Sequence, residues 1–287
     1  MWASVQSSDR GLARLVLAPA LALWAGATAV FADAPARVVS MNLCTDQLAM
    51  LLAAPGQLIS VSNLASDPLS STMVEEAAAF PANRGGAEQI FLMQPDLVLA
   101  GSYTSVASVA LLRDLGVRVA QLPPASSLQD VAAQMREVGA LLGQAEKAEA
   151  MAAAFEASLE KFRHTGDRAT AAMYYPNGYT TGEGTLSDDI LKLAGFRNIG
   201  AEAGVTGGGI LPLERLVMAA PDLIVTSTPY PGASRSEEIL AHPALTALRA
   251  RAGAARITDA DWVCGTPYLL RAIEAMAQAR AALGTGP

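Results

Sequence analysis

Two kinds of apolar segment alternate along this chain. Short, nearly continuous apolar blocks bounded by Pro, Gly, Asp or Asn fall at Arg37–Ser40, Leu58–Ser62, Leu97–Ala100, Val117–Leu122, Ala169–Tyr174, Leu223–Thr226 and Ala255–Ile257. They lack polar alternation and are too short for helices, so they predict buried strands of parallel sheets. Between them, apolar residues recur at helical spacing, predicting helices that run from Asn42 or Thr45 to Leu52 and over Val106–Leu115, Leu128–Phe162, Ser187–Leu193, Glu237–Ala252 and Tyr268–Leu283. Strand and helix in alternation predict an α/β fold. The remaining turns are read from Gly and Pro: a Gly-rich turn at Pro176–Gly184, a flexible loop at Gly204–Gly209 and a Pro/Gly-rich loop at Ser227–Ser236.

One unit of the pattern occurs twice. Residues 87–102 and 213–228 align with Glu88 on Glu214, Pro95 on Pro221, Asp96 on Asp222 and Leu97 on Leu223, all 126 residues apart. Each copy reads as a short helix closed by Pro-Asp and followed by an apolar strand. A chain that builds the same unit twice predicts two similar lobes, and two lobes form a cleft. The expected architecture is two Rossmann-like lobes with central, mostly parallel sheets, residues 37–124 and 166–287, joined by one long connector helix over 125–165. Leu128–Phe162 contains no proline and would make about 50 Å of helix at 1.5 Å per residue. Such a rod would limit opening of the lobes to a few degrees; Gly139 and Gly143 are its weak points.

Composition narrows the function. The 287 residues are 52% hydrophobic with a formal net charge of −7, which suits a large core and argues against a nucleic-acid groove. Arg10 and Arg14 precede the mostly apolar run Leu15–Phe31, which ends in Val30-Phe31-Ala32 with small residues at the positions a signal peptidase reads, so residues 1–32 read as a cleavable signal peptide; the alternative, a membrane anchor, is disfavoured by the marginal length of the run and by Pro19 and Gly26 within it. The chain holds two histidines and two cysteines, few for a metal site, and neither His164 nor His242 is taken as a ligand. No phosphate loop, nucleophile elbow or His-Glu-x-x-His motif is present. What gathers at predicted strand ends is aromatic and polar: Asn42, Arg84 and Tyr103 in the first lobe, Tyr175, Tyr179 and Trp262 in the second. Aromatics make up 5% of the chain, so their concentration there suggests a flat or ring-like ligand held by stacking; Tyr174 reads as core. Cys44 and Cys264 leave three readings open: a disulfide tying the lobes together, two buried thiols, or a thiol contact to ligand or metal. Glu88 and Glu214 read either as helix caps or as exposed carboxylates that dock onto arginines of a partner.

The predicted signal peptide, paired lobes, connector and twin Glu-x6-Pro-Asp-Leu motifs together resemble the periplasmic binding proteins that deliver vitamin B12, siderophores and haem to ABC importers. The resemblance covers residues 37–283. It implies a monomeric periplasmic binding protein that holds a corrinoid or ferric siderophore in the cleft, without catalysis or cofactor, and passes it to the importer's transmembrane permease. Within the family the likeness is greatest to the B12 binders: Asp259-Ala260-Asp261-Trp262 stands where a Ser/Thr-Asp-Trp segment contacts the corrinoid, which adds Asp261 to Trp262, and Tyr103 and Tyr179 match aromatic positions. Glu214 matches the second-lobe docking carboxylate; Glu88 is assigned as its partner on internal symmetry alone. An expected tyrosine is Leu64, and Gly207-Gly208-Gly209 replaces an expected aromatic. The rival readings are a two-lobed chelatase-like enzyme acting on a tetrapyrrole or metal, which would need a histidine and acid pair in the cleft, and a ligand-sensing module.

Overall fold

The structure is a computed structural model that describes residues 34–228, Gly232 and residues 234–284. The expected signal peptide and part of the expected loop at Ser227–Ser236 lie outside the described residues. The first lobe runs Val38–Ser40 (β1), Leu43–Leu52 (α1), Leu58–Ser62 (β2), Val74–Ala77 (α2), Ala82–Asn83 (β3), Ala87–Leu92 (α3), Leu97–Gly101 (β4), Val106–Asp114 (α4) and Val119–Leu122 (β5). Its sheet has five parallel strands in the order β3-β2-β1-β4-β5. Two connector helices follow, Leu128–Leu141 (α5) and Ala145–Leu159 (α6). The second lobe contains Ala169–Met173 (β6), Tyr179–Thr181 (β7), Leu186–Leu193 (α7), Phe196–Asn198 (β8), Ile199–Glu202 (α8), Gly208–Ile210 (β9), Leu213–Ala219 (α9), Leu223–Ser227 (β10), Pro243–Arg249 (α10), Gly253–Ile257 (β11), Asp259–Trp262 (α11) and Leu270–Leu283 (α12). Its main sheet is parallel in the order β11-β10-β6-β8, and β7 pairs with β9 antiparallel.

The sequence repeat is a structural clamp used in both lobes. Asp96 Oδ2 accepts the backbone N–H groups of Ala36 and Arg37 at 2.8 and 2.9 Å, where the chain enters β1. Asp222 Oδ2 accepts the N–H and the hydroxyl of Thr170, both at 2.7 Å, at the start of β6. Each aspartate thus fixes its strand beside the neighbouring strand of the same sheet, β4 beside β1 and β10 beside β6. The residue before each Pro-Asp is left-handed, Gln94 at φ 50° and Ala220 at φ 42°, which turns the helix end into the strand at a steric cost. Replacing Ala220 with Gly should therefore stabilise the protein by about 0.5–1 kcal/mol, read as a higher urea midpoint at unchanged slope.

The connector corrects the single-rod expectation. Gly143 takes φ +70° and closes α5, so the chain reverses into α6 and the two helices pack as a hairpin. A Cβ at Gly139 would overlap the side chain of Ala148; glycine lets the helices approach there. Arg136 joins them by paired hydrogen bonds to Glu149 and Glu156 at 2.7–3.0 Å. Both helices back the lobes: in α5 the Leu128 N–H donates to Asp189 of the second lobe at 3.1 Å, and in α6 Lys147 Nζ reaches Leu52 O of the first lobe. One apolar cluster runs from Val38 and Leu97 through Val131, Met135 and Phe155 to Ala171, Leu191 and Ile273, so the lobes share a continuous core.

Smaller departures have local causes. Thr185, not Ser187, caps α7 by accepting the N–H of Asp188. Gly204–Gly209 is not simply a flexible loop, since β9 takes up Gly208 and Gly209 and pairs them with Thr181 and Thr180. Glu237–Ala252 divides at His242-Pro243 into a 3-10 segment and α10, as proline lacks the N–H a continuous helix needs.

Candidate functional site

The carboxyl ends of the parallel strands in the two lobes border the cleft, the position where open α/β sheets bind ligands. In the first lobe, Met41 follows β1 and Asn42 caps α1, its Oδ1 accepting the N–H of Cys44 at 3.1 Å. Gly101 at the end of β4 leaves room for the Asn42 side chain, which any Cβ there would strike. The next turn is held by Thr104 Oγ1, which accepts the N–H of Gly101 at 3.0 Å, and it lifts Tyr103 to 88% exposure. Arg84 follows β3 and is exposed; its backbone is set by Gln89, which accepts the Arg84 N–H at 3.1 Å.

The second lobe presents an aromatic wall. Tyr174 directly follows β6 and is fully buried, and the next turn, with Asn177 at φ 58°, brings the Tyr175 N–H onto Tyr179 O at 2.9 Å. The Tyr175 ring lies 6.3 Å from Tyr179 and 6.2 Å from Trp262, edge-on to the latter. Burial, with help from Asp259 and Tyr179, pushes the Tyr175 hydroxyl well above its usual pKa, so it stays a neutral donor. Tyr179 lies across Gly208, where a Cβ would overlap its hydroxyl. That is why glycine stands in β9: the neighbouring strand's aromatic already occupies the space. Asp261 accepts the Thr258 hydroxyl at 2.6 Å and faces Arg271 at 3.8 Å, which fixes α11 and hence the Trp262 it carries.

A disulfide crosses between these surfaces. Cys44 in α1 is bonded to Cys264, two residues beyond Trp262, with 5.0 Å between Cα atoms. Beside it lies a cavity of about 260 Å³ lined by Asn42, Cys44, Leu48, Tyr103, Pro124 and Val263 among others. A small gap lined by Pro68 and Leu69 from the first lobe and Thr228, Thr258 and Asp259 from the second marks another place where the lobes face each other. A roomier groove of about 630 Å³ lies at the amino-terminal edge of the second-lobe sheet, around Arg168, Asp222, Arg251 and Arg280. It shares no residue with the aromatic wall, and Asp222 there is engaged by Thr170.

The structure therefore brings Asn42 and Tyr103 together at one cavity, and Tyr175, Tyr179 and Trp262 at one wall. Arg84 lines neither. Glu88 and Glu214 are exposed on α3 and α9 and cap neither helix. His164 Nε2 lies 3.0 Å from Asp167 O, and His242 Nδ1 accepts the N–H of Ala244 to cap α10. Among the described residues no three His, Cys, Asp or Glu side chains converge as a metal site. The cavity wall from Leu122 to Ala125, and Val263 and Gly265 on either side of Cys264, were not read as site residues in the sequence; the Pro123-Pro124 pair directly after β5 was the signal available for the first of them.

Close to the cleft floor, Asp46 is fully buried on α1, with Ser62 donating both its N–H and its hydroxyl to the carboxylate. Burial outweighs these bonds and raises its pKa from 3.8 to about 6. A raised folded-state pKa means that protonation stabilises the native state. The contribution is full below pH ~4 and is lost as pH rises through about 6, amounting to roughly 2–3 kcal/mol. Asp130 and Asp222 are held low, Asp130 by Ser126 foremost and Asp222 by Thr170, and give the opposite slope at lower pH. The Asp46→Asn variant should thus gain stability over the wild type as pH rises from 5 to 7, with no gain at pH 4; a constant difference in urea unfolding would count against it.

A family model described as "Periplasmic binding protein" matches residues 38–259. A relative named "Cobalamin-binding protein" from Halobacterium salinarum is 29% identical over 207 residues, 69% of this chain and 56% of that protein. The chain thus spans little more than half the length of that relative. Among solved structures, the haem-binding protein RhuT from Roseiflexus sp. RS-1 superposes with TM-score 0.69 at 23% identity, covering 86% of this chain and 97% of that one. The vitamin B12 binding protein BtuF of Vibrio cholerae does so with TM-score 0.67 at 18% identity, covering 88% and 99%. At these identities the likeness is one of fold, with both parallel sheets in common.

Proposed function

The chain belongs to the periplasmic binding protein family, a family of carriers rather than catalysts, and we propose that it holds a corrinoid in its cleft and delivers it to an ABC importer. The observation that carries the ligand class is the aromatic wall, Tyr175 with Tyr179 and Trp262 around it at 6.2–6.3 Å. Such a surface grips a large ring system by its faces and edges. Charge favours the same class. Arg84 is the one cation among the predicted ligand contacts, and Asp259 and Asp261 sit beside the wall, so a strongly anionic ligand would lack partners. The relative named for cobalamin adds support. A ferric siderophore of low net charge is the second ligand that these walls suit.

On this reading Asn42 and Tyr103 contact the ligand from the first lobe, and Arg84 meets a polar group at its edge. Glu88 and Glu214 dock onto arginines of the transmembrane permease. Residues 1–32 direct export and are removed, leaving a periplasmic monomer. The disulfide and the shared core favour a small hinge movement over wide closure. Equilibrium dialysis and native mass spectrometry against cobalamin, cobinamide, haem and ferric siderophores test the proposal. Cobalamin should bind at submicromolar concentration in a one-to-one complex; no binding of any of the four at micromolar concentration would end the assignment to this ligand class.

A further inference from the structure

The Cys44–Cys264 bond stands on the ligand side of both lobes. Cys44 lies in the first turn of α1 and lines the cavity of about 260 Å³ that Tyr103 and Val263 also border. Cys264 follows Trp262 by two residues and is 2% exposed, whereas Cys44 is half-buried. Cys44 is thus the half of the bridge that a molecule in the cavity can touch. The segment that carries Cys264 makes local backbone hydrogen bonds, Val263 N–H to Asp259 O and Thr266 N–H to Cys264 O. Gly265 seats it at the start of the connector, since a Cβ there would crowd Ala125 and Val131. Toward the cleft face of the first lobe, the covalent bond to α1 is what holds it.

We propose that the bridge is one wall of the ligand site and a thiol-sensitive lock on it: intact, it holds Trp262 of the second lobe against the first-lobe contacts Asn42 and Tyr103, and an apolar, ring-sized group of the ligand fills the cavity beside Cys44. The proposal rests on the transport reading above and adds a subsite and its control. The cavity is smaller than a usual whole-ligand site, so it takes one appendage of a larger molecule, and its Leu48, Leu122 and Pro124 walls select an apolar one. Walls already in place bind more tightly than walls that must be ordered on binding. A dithiol opens the lock in two exchanges. Its first thiolate attacks Cys44 Sγ, forms a new S–S bond there and expels Cys264 as a thiolate, which takes up a proton; its second thiolate closes the reductant's own disulfide and expels Cys44. Cys44 leaves at the amino end of α1, where the helix dipole favours a thiolate. The dithiol loses two electrons and the bridge gains them as two thiols. Trp262 is then held from the second lobe and the connector alone, and the grip on the ligand loosens. The coupling is reciprocal: a ligand group seated against Cys44 shields the bond from attack.

The test uses the full chain with Trp2→Phe and Trp24→Phe, which leave Trp262 as the only tryptophan. Dithiothreitol reduces the bridge without oxygen, well below the melting transition of the reduced form, and alkylation with mass spectrometry counts the thiols. A lower Tm alone decides nothing here, since any cross-link stabilises; affinity in the folded protein does. Reduced, folded protein should bind cyanocobalamin about 10–30-fold more weakly than oxidised protein. Saturating cyanocobalamin should slow reduction of the bridge by at least about 5-fold. Equal affinities in the two redox states, or a reduction rate that cyanocobalamin leaves unchanged, overturns the proposal. If oxidised protein binds no cyanocobalamin, the ligand reading fails by itself and the lock is judged without ligand. Acrylamide quenching of Trp262 should then rise at least about 2-fold on reduction while far-UV circular dichroism stays constant; unchanged quenching overturns the lock.

Discussion

Replacing both cysteines by serine, or reducing the Cys44–Cys264 bridge, should destabilise the protein by about 5 kcal/mol, the largest effect expected of any change considered. The bond joins residues 220 positions apart, and the loop entropy withheld from the unfolded chain grows with that separation. For a chain of this size such a loss lowers Tm by roughly 10–20 °C. The fold itself should survive, because the apolar cluster through α5 and α6 continues to join the lobes. Differential scanning calorimetry of wild type with and without reductant, beside the double serine variant, measures the effect. The reduced wild type and the variant should coincide, and a Tm shift of only a degree or so would show that the cross-link does not constrain the unfolded chain.

The second large effect is on binding. Trp262→Ala should weaken cobalamin by about 30–100-fold, and Trp262→Ala with Tyr175→Ala by about 1,000-fold, some 4 kcal/mol. The two rings touch, so their losses will not simply add. Trp262 is half-buried at the end of a four-residue helix and packs against the core, so its truncation costs some stability. Tyr175 is half-buried against the same core, and its truncation costs some stability as well. Tyr175→Phe separates the two roles: it keeps the ring and removes the donor hydroxyl, and should weaken binding by no more than ~10-fold. Isothermal titration at several concentrations resolves these values. Unchanged cobalamin affinity in the Trp262→Ala variant would remove the aromatic wall from the binding site.

How much of this was legible in the sequence depends on whether local pattern or distant contact decides the structure. The strands were legible because buried parallel strands are short unbroken apolar blocks, and Leu58–Ser62 matches β2 at both ends. The twin Pro-Asp units were legible as a repeat, although their clamp role, with Asp96 and Asp222 holding strands far away in sequence, was not. The connector misled because Ala-rich helical spacing continues on both sides of Gly143, and only the turn geometry there separates α5 from α6. Strand β9 is largely glycine and carries no periodic signal; its partner β7 and the Tyr179 ring define it. At the site, aromatic residues at strand ends could be named one by one. That Tyr175, Tyr179 and Trp262 form one wall, while Arg84 stands apart, follows from packing that no spacing rule records. The two thiols left three outcomes open, and the choice among them rests on how α1 meets the segment after α11.

The shared core and the long reach of the bridge have a consequence for biogenesis. Cys44 is made 220 residues ahead of Cys264, so the bridge can form only after nearly all of the chain has been synthesised. Oxidation is therefore a closing event in maturation. With two cysteines in the whole chain, no scrambled monomer exists, and the aberrant products open to this protein are mixed adducts with small thiols and covalently joined pairs of molecules.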